Sequence, residues 1–325
     1  MRYHLNIVFH MMQMKLFIDV QDFAFSSELI LLYGLLQTPI QEPSHCYNFQ
    51  GVSRYEGLQS FCEENITYVD TVEDCDVIVL PYKFKGVKDP VFQKYNTTSI
   101  CHKKPLWCFF NDDSDKVFDL PPHVCLYRTS FYGKTKLPNE YPLIAFSPDY
   151  FRGNFQKDHL CSIGYCGHIM HGRKHYLQTL LKSSSLKCDF VLRRGFWAPG
   201  IDKQVARQEY FQNMENNVFT FCYRGAGNFS YRLYETFMMG RIPIFINTDC
   251  VLPFWDQWKH LNVGLFIDEM EVRGKEDKWV EMIRTYIESN QDSLLDIQKQ
   301  NRKLWETYFS PCGFLRETLC SFTPP

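Results

Sequence analysis

The segment from residue 221 to residue 247 constrains the fold more than any other part of the sequence. It predicts a strand, a loop that contains Gly225 and Gly227, a helix that ends at Gly240, and a second strand. In a parallel sheet, this order places a helix N-terminus and the N–H groups of the loop at the carboxyl edge of the strands. Because parallel sheets bind phosphorylated ligands at that edge, the segment predicts a phosphate site.

The rest of the second half alternates short apolar runs with helical patterns, which predicts βαβ units and a parallel sheet. The predicted strands are Cys161–Cys166, Cys188–Leu192, Val218–Cys222, Ile242–Ile246 and Gly264–Ile267. The predicted helices are Lys174–Lys182, Val205–Glu215, Tyr231–Met239, Lys278–Glu288 and a final Leu294–Tyr308.

The first half has the same kind of punctuation with less regular spacing. Its predicted strands are Lys15–Val20, Asp76–Leu80, Pro105–Phe110, His123–Arg128 and Leu143–Phe146. Helices are predicted at Ser26–Leu36 and Gly57–Glu64, and loops at Lys83–His102 and Thr129–Glu140. A length of 325 residues favours two domains. We therefore predict an α/β chain with one domain over residues 1–152 and another, which ends in a terminal helix, over residues 153–325.

Charge and cysteine content exclude several classes of protein. Lysine and arginine number 35 against 37 acidic residues, a net charge of -2, so no overall field attracts the chain to nucleic acid. The 13 cysteines are scattered and contain no Cys-x-x-Cys pair, which favours reduced core thiols over a disulfide framework or a zinc site.

Apolar runs and glycosylation sequons bear on the expected location. The longest apolar run, residues 23–36, is broken by polar residues, so we predict no transmembrane segment and no signal peptide. We expect the chain in the cytoplasm or at the cytoplasmic face of a membrane. Three glycosylation sequons, at Asn65, Asn96 and Asn228, favour the opposite compartment, the secretory lumen.

The charges on the helix that follows the glycine loop sharpen the phosphate prediction. Arg232 lies in its first turn, where the helix dipole disfavours a cation unless an anion offsets it. We predict that Arg232 binds a diphosphate and that Glu235 accepts hydrogen bonds from ribose hydroxyls. The helix would begin near Asn228 or Ser230. The alternative is an exposed ion pair between Arg232 and Glu235 that binds no ligand.

A second glycine turn opens the same half of the chain. Gly167 follows a predicted strand, and Arg173 stands at the start of the next helix, which predicts a further phosphate contact. His168 and His171 lie between them, and Cys166 is the one additional metal-ligand residue nearby. Because this spacing matches no standard metal site, solvated loop histidines are the favoured interpretation.

The motif residues as a group resemble a known family. They are Arg224, Ser230–Glu235, Gly240–Phe245 and Val251–Trp255, with a looser match at Asp76–Pro81, Phe109–Asp115 and Arg128–Ser130. This pattern resembles the donor-nucleotide motif of exostosin-like glycosyltransferases, the family 47 class. The resemblance covers most of the chain and is specific over residues 221–255.

The resemblance implies a GT-B fold, in which two Rossmann-like domains face each other across a cleft. The second domain would hold a nucleotide-sugar donor, UDP-linked in our prediction, and the first domain would hold a glycan acceptor. It also implies inversion at the sugar carbon without an essential metal or other cofactor. Many relatives carry an N-terminal anchor and stem for the Golgi, and because this chain shows neither, the Golgi lumen is the less expected location.

The residue that removes the acceptor proton is open between Asp112, Asp113 and Glu140. Asp112 and Asp113 follow a predicted strand that would face the cleft. Asp113 and Asp115 also form an Asp-x-Asp pattern, which predicts a metal site in the other glycosyltransferase fold, GT-A, and a solvated turn in the simplest case.

We therefore predict a glycosyltransferase that moves a sugar from a nucleoside diphosphate to a glycan hydroxyl. The alternatives are a sugar-nucleotide epimerase on the same scaffold and a non-catalytic protein that binds nucleotide sugars or glycans. Arg173, Arg224 and Arg232 would stabilise the leaving diphosphate. The full predicted donor-binding set is Gly167, Arg173, Arg224, Gly225, Asn228, Ser230, Arg232 and Glu235.

Overall fold

The structure, a computed structural model, describes five stretches of the chain. They are residues 13–19, 46–156, 162–170, 172–195 and 198–322. Two β-sheets lie within these stretches, and every strand pair in both sheets is parallel. The predicted α/β class is therefore confirmed.

The first sheet has six strands in the order β2-β1-β3-β4-β5-β6. They are β1 (Met14–Phe17), β2 (Ile66–Tyr68), β3 (Val77–Lys83), β4 (Leu106–Phe110), β5 (Val124–Arg128) and β6 (Glu140–Pro142). Helix α1 (Leu58–Asn65) precedes β2, and α2 (Pro90–His102) joins β3 to β4. All residues of β4 and β5 are buried, as expected for parallel strands that are covered on both faces.

The second sheet has five strands in the order β11-β10-β9-β7-β8. They are β7 (Ser162–His168), β8 (Lys187–Arg193), β9 (Phe219–Cys222), β10 (Ile242–Asn247) and β11 (Leu265–Asp268). The accompanying helices are α3 (Arg173–Lys182), α4 (Lys203–Asn216), α5 (Tyr231–Met238), α6 (Trp255–Trp258), α7 (Glu269–Val272) and α8 (Glu276–Ser289). These elements confirm the predicted alternation of strands and helices.

The end of the chain returns to the first sheet. Helix α9 (Leu294–Leu304), a π-helical turn (Trp305–Phe309) and α10 (Pro311–Ser321) follow the second sheet. Beyond α10, the ring centroid of Phe322 lies 4.9 Å from that of Trp107 in β4. The first sheet ends at Pro142 and the second begins at Ser162, and the predicted boundary between residues 152 and 153 stays a prediction within that interval.

The carboxyl edges of the two sheets contact each other. The Asn228 N–H donates to the Ser130 hydroxyl at 2.7 Å, and Arg224 Nη1 donates to the Tyr132 hydroxyl at 2.6 Å. These residues lie in the loops that follow β9 and β5, at the carboxyl ends of those strands. Two parallel α/β units thus meet at the carboxyl edges of their sheets, an arrangement that the GT-B fold implied by the resemblance also has.

Two local predictions for the first half are wrong. Residues 83–102 are not a loop throughout, because α2 begins where Asp89 accepts from the N–H groups of Val91 and Phe92 and Pro90 opens the helix. Residues 143–146 are not a strand, since the strand at this edge is β6, and they continue as irregular buried backbone.

Strand β2 is absent from the predicted set, and the predicted helix over residues 26–36 lies outside the described residues. No helix within the described stretches is long and apolar enough to cross a lipid bilayer.

Candidate active site

The candidate site lies at the carboxyl edge of the second sheet, at the point between β7 and β9 where the strand order reverses. Strand β7 pairs with β8 on one side and with β9 on the other, and β9 in turn pairs with β10, so the connections that leave β7 and β9 run in opposite directions from the carboxyl edge. Gly167 and His168 end β7, and Tyr223 and Arg224 follow β9 at the carboxyl edge. Open parallel sheets bind ligands at such a switch point.

Arg232, in the first turn of α5, extends into this crevice. Its Nη2 donates to the Cys166 carbonyl at 2.7 Å, and its Nε lies 3.5 Å from the Tyr210 hydroxyl. The guanidinium carbon is 3.9 Å from the centroid of the Tyr165 ring, a cation–π contact. Within the described structure, the buried Nη1 donates to no acceptor. A buried donor without a partner is costly, so this arginine is set up for an additional acceptor.

Charge on Arg232 is retained despite its position. Burial alone acts to lower the pKa of Arg232, and the neighbouring Tyr210 and Tyr165 hydroxyls outweigh that effect, so the pKa is raised. The guanidinium is therefore a cation. In the first turn of a helix, an anion is the natural partner for the orphan N–H groups and for this cation alike.

Gly167 leaves room for the guanidinium. A Cβ atom placed on Gly167 would lie 2.8 Å from Arg232 Nη2, and the φ of Gly167 is +152°. Both the close approach and this backbone conformation favour glycine. The glycine turn after β7 thus contributes to the site by admitting Arg232.

Arg173 and Arg224 join the loops around the same crevice. Arg173 donates through Nη1 to the His168 carbonyl at 3.1 Å and through Nε to the Arg224 carbonyl at 3.0 Å. Arg224 donates through Nη2 to the Ala226 carbonyl at 3.0 Å, in addition to its bond to Tyr132. Among the ion pairs of the described residues, none includes Arg173, Arg224 or Arg232. Three arginines at one crevice therefore share no carboxylate that would neutralise them.

Glu235 forms a separate contact set, so the predicted alternative of an exposed Arg232–Glu235 ion pair is wrong. Its Oε1 accepts from the Ser147 hydroxyl at 2.6 Å, and its Oε2 accepts from the Tyr210 hydroxyl at 2.5 Å. Burial and the charge of Glu235 raise the pKa of Tyr210 well above its ordinary value, so this hydroxyl stays protonated and donates. Tyr210 thereby bridges Glu235 and Arg232.

The loop that precedes α5 divides into two parts. Its first part is closed on itself, because the Gly225 N–H donates to the Phe229 carbonyl at 2.8 Å. Ser230 is the N-cap residue of α5 and makes no side-chain capping bond, so the first N–H groups of the helix have no side-chain acceptor there. This open helix start lies beside Arg232 on the same turn.

Asn228 occupies the contact between the two halves of the chain. It is 1% exposed, its Nδ2 donates to the Phe131 carbonyl at 3.0 Å, and its Oδ1 accepts from Thr248 at 2.5 Å. Because both amide atoms are already bonded, the geometry gives Asn228 a structural role in place of the predicted donor contact. Its burial also leaves this sequon without an accessible acceptor nitrogen.

Asp112 and Asp113 lie at the carboxyl end of β4 with different surroundings. Asp112 forms an ion pair with Lys83 at 2.9 Å, and its Oδ1 accepts from the Ser114 N–H at 2.9 Å. Burial acts to raise the pKa of Asp112, but these hydrogen bonds outweigh it and lower the pKa. Asp113 is exposed, and its Cα would lie 2.8 Å from a Cβ atom on Gly227. The donor loop thus touches the backbone of Asp113.

Glu140 is unsuited to proton removal. It is 1% exposed, its Oε1 accepts from Arg128 at 2.8 Å, and its Oε2 accepts from the Leu137 N–H at 2.9 Å. A general base must reach the proton that it removes. Burial and these two hydrogen bonds separate Glu140 from any acceptor glycan. Glu140 therefore has a structural role and is not a base candidate.

Metal binding by Asp113 and Asp115, or by the histidines after β7, stays an untested alternative. Within the described residues, no group of three or more histidine, cysteine, aspartate or glutamate side chains is arranged to hold a metal ion. Asp115 is exposed, and His171 lies outside the described residues. The twelve cysteines that the structure describes are free thiols.

Tyr165 and Tyr210 are the site residues that sequence reasoning missed. Both lie far from Arg232 along the chain, in β7 and α4, and the fold brings them to its two sides. A tyrosine within an apolar strand or on a polar helix predicts only packing. No local signal in the sequence distinguishes these two tyrosines from the others.

No protein-family model matches the chain. Sequence relatives align with a segment of about one fifth of it. A probable glucuronosyltransferase of Oryza sativa subsp. japonica is 40% identical over 63 residues, which are 19% of this chain and 14% of that protein. A probable beta-1,4-xylosyltransferase of Arabidopsis thaliana, IRX10L, is 38% identical over 63 residues, 19% of this chain and 15% of that protein. The aligned segment therefore spans only a small part of the curated relatives.

The solved structure of TarM aligns with a TM-score of 0.35 and 11% identity, and covers 82% of this chain and 53% of that chain. A score this low carries no weight for the fold or the function. The sequence relatives, in contrast, are named as sugar transferases throughout. Over the aligned segment, they confirm the predicted resemblance to the glycosyltransferases of family 47, and a resemblance over most of the chain stays a prediction.

Proposed function

We propose that this chain is a glycosyltransferase that moves a sugar from a UDP-linked donor to a glycan hydroxyl, with inversion and without a bound metal. The observation that carries the proposal is Arg232, a charged side chain at the switch point of a parallel sheet with a buried Nη1 that lacks an acceptor. The names of the sequence relatives support the same class of reaction.

A nucleoside diphosphate fits the charge of this crevice. Arg232, Arg173 and Arg224 have no carboxylate partner among the ion pairs of the described structure, and the α5 N-terminus adds uncapped N–H groups. When the bond between the sugar and the diphosphate breaks, negative charge grows on the leaving oxygen. Fixed cations and N–H donors stabilise that charge without reorganisation, and such preorganised groups supply much of the rate in group transfer.

Glu235 and Tyr210 suit the ribose end of the donor. Each carboxylate oxygen of Glu235 holds one hydroxyl donor, from Ser147 or Tyr210, and retains a lone pair for another. A carboxylate in this state accepts readily from the two neighbouring hydroxyls of a ribose. The bridge through Tyr210 places that acceptor next to the diphosphate-binding Arg232.

Asp113 is the residue that we assign as the base. Asp112 is committed to Lys83 and Ser114, and its lowered pKa makes it a weak proton acceptor. Asp113 is exposed at the point where the acceptor-side loop meets Gly227 of the donor loop. In the proposed step, Asp113 takes the proton from the acceptor hydroxyl while the oxygen of that hydroxyl bonds to the anomeric carbon. The bond between that carbon and the diphosphate breaks on the opposite face, and the diphosphate leaves with the electron pair. One displacement of this kind inverts the anomeric carbon.

The nucleotide site is tested by thermal melting of the full chain with uridine, UMP, UDP and the diphosphates of the other nucleosides. A ligand that binds only the folded state raises the melting temperature. We expect UDP to raise it and uridine to have little effect, since the arginines recognise phosphate. No shift with any diphosphate at millimolar concentration would overturn the donor site.

The reaction is tested with a panel of UDP-sugars, with and without candidate glycans. Acceptor-dependent release of UDP, with a new glycosidic bond of inverted configuration, is the expected result. A donor whose sugar changes while it remains attached to UDP would identify an epimerase. Binding of UDP without either reaction over the whole panel would identify a non-catalytic binding protein.

We also propose that the chain acts in the cytoplasm or at the cytoplasmic face of a membrane. The burial of the Asn228 sequon and the free thiols support it. Glycosidase treatment of the protein from its natural cells tests it, because a loss of mass would reveal N-linked glycans and a lumenal location.

A further inference from the structure

We propose that the buried ion pair between Arg128 and Glu140 positions the acceptor-side loop of residues 111–118 for sugar transfer. This inference rests on the proposed function, because that loop carries Asp112 and Asp113. In this role, Glu140 is a positioning residue that acts through Arg128.

Arg128 donates hydrogen bonds to two backbone carbonyls of this loop. At 1% exposure, its Nη1 donates to the Lys116 carbonyl at 2.8 Å and its Nη2 donates to the Ser114 carbonyl at 2.9 Å. The same Nη1 donates to Glu140 at 2.8 Å. A planar guanidinium is the one side chain that presents several donors in such a fixed fork. Two carbonyls of the loop are therefore fixed to the end of β5.

Aromatic rings enclose the guanidinium. Its carbon lies 5.6 Å from the centroid of Phe110, 5.2 Å from Phe118 and 5.5 Å from Phe131. Two of these rings bracket the acceptor-side loop, and the third stands in the loop that contacts the second half of the chain. The enclosure excludes water and strengthens the hydrogen bonds of Arg128.

The residues that follow Arg128 extend the same connection. The Thr129 hydroxyl accepts from the Asp112 N–H at 3.1 Å and donates to the Asp112 carbonyl at 2.8 Å. The Ser130 hydroxyl accepts from the Asn228 N–H in the donor loop. Three successive residues thus join the loop of the proposed base to the donor side of the cleft.

A purely stabilising role is a poor explanation for this ion pair. Burial of two charges removes their hydration, and well-packed apolar residues of similar size often give equal or greater stability. What apolar residues do not supply is donors for the carbonyls of Ser114 and Lys116. The pair is thus better explained by the geometry of the loop than by the stability of the sheet.

The test uses the double variant Arg128→Met/Glu140→Leu, which removes both charges together and leaves neither unpaired. The control double variant Arg284→Gln/Glu288→Gln removes an exposed ion pair of α8, at 2.7 Å. The full chain of each is compared with the wild type by melting, by steady-state transfer kinetics and by amide hydrogen exchange.

We expect the Arg128→Met/Glu140→Leu variant to lose about 10-fold or more in kcat, with the donor KM and the UDP-induced melting shift unchanged. Amides of residues 112–118 should exchange at least about 10-fold faster, while those within β5 keep their protection. A folded variant with wild-type kcat and wild-type exchange in this loop would overturn the proposal.

A second variant covers the case in which the double variant does not fold. Glu140→Gln keeps the shape and an acceptor for Arg128 and removes one charge, so a smaller change in the same two measurements is expected. Unchanged exchange over residues 112–118 in folded Glu140→Gln would also overturn the proposal. If the wild type shows no transfer and no UDP binding, the proposed function fails, while the exchange measurement still decides whether this pair positions the loop.

Discussion

The guanidinium carbon of Arg232 lies 3.9 Å from the ring centroid of Tyr165, and the Tyr165 hydroxyl donates to the His168 carbonyl at 2.6 Å. The tyrosine therefore supports the arginine on one side and fixes the end of β7 on the other. This contact makes the turn after β7 and the helix after β9 parts of a single site. It also gives Arg232 a fixed direction before any ligand is bound, which is the property that transition-state stabilisation requires.

Arg232→Ala should lower kcat for transfer by about 10²-fold or more, the usual loss when one preorganised donor is removed. The matched control is Arg284→Ala, because Arg284 lies on α8 and pairs only with Glu281 and Glu288 among the ion pairs of the described residues. Both variants are first compared by circular dichroism and melting, since a folding defect imitates lost activity. Equal kcat in the two folded variants would remove Arg232 from the site.

Glu235→Gln should raise the donor KM by about 5- to 30-fold, equivalent to roughly 1–2 kcal/mol of binding, with a smaller change in kcat, because a charge-assisted acceptor for ribose becomes a neutral one. The fold should tolerate this change, since the Ser147 and Tyr210 hydroxyls can rotate to suit an amide. Steady-state kinetics with varied donor measures it, and Glu288→Gln on α8 is the control. A donor KM equal to that of the control would contradict the ribose assignment.

Gly167→Ala should displace the Arg232 guanidinium, because the new Cβ atom would lie 2.8 Å from Nη2. We expect the UDP-induced melting shift to fall and the donor KM to rise by about 10-fold or more, as small displacements of positioning groups are costly. Gly153→Ala is the matched control. Its φ is also positive, at +82°, and no atom lies within 4 Å of the new Cβ. If both alanine variants bind UDP equally, Gly167 has no part in the position of Arg232.

Sequence patterns predicted the second sheet well because its strands are continuous apolar runs and its helices carry clear starts and stops. Strand β9, helix α5 and the Gly240 turn are set by neighbouring residues, so a local pattern was sufficient. The sequence does not predict helix α2, because the largely polar surface that follows the Asp89-Pro90 start signal gives no strong periodicity.

The site itself was only partly predictable. The position of Arg232 follows from the helix start, whereas Tyr210 reaches it from α4 through tertiary packing. The same limit explains Glu140, whose carboxylate is indistinguishable in sequence from a catalytic one until its burial against Arg128 is known. Contacts between distant segments decide which charged residues are available, and no local pattern contains them.

Activity should persist in excess EDTA, because arginines and a helix N-terminus can stabilise the leaving diphosphate without a cation. UDP release and glycan formation are measured after dialysis against EDTA, with and without added Mn²⁺ or Mg²⁺. Asp115→Asn, which alters the Asp-x-Asp pattern and leaves Asp113 intact, should behave as the wild type in both conditions. Complete loss of activity that Mn²⁺ restores in the wild type, and fails to restore in Asp115→Asn, would favour the metal site instead.

The two neighbouring aspartates should separate catalysis from stability. Asp113→Asn should lower kcat by about 10²-fold or more, the range for a general base, with little change in melting temperature because Asp113 is exposed. Asp112→Asn should instead lower the melting temperature at pH 7, since the ion pair with Lys83 and the bond from Ser114 favour its ionised form. Kinetics and melting of both variants, over a range of pH, provide the measurement.

The pH dependence of Asp112 follows from its lowered pKa. The stability that it contributes is present above its ordinary pKa of 3.8 and is lost as the pH falls through the lower value of the folded chain. The difference in melting temperature between wild type and Asp112→Asn should therefore shrink below about pH 4 and be constant from pH 6 to 8. A melting difference that grows on acidification would contradict the ion-pair assignment.

Wild-type kcat in folded Asp113→Asn, together with a large loss of kcat in folded Asp112→Asn, would transfer the role of the base to Asp112.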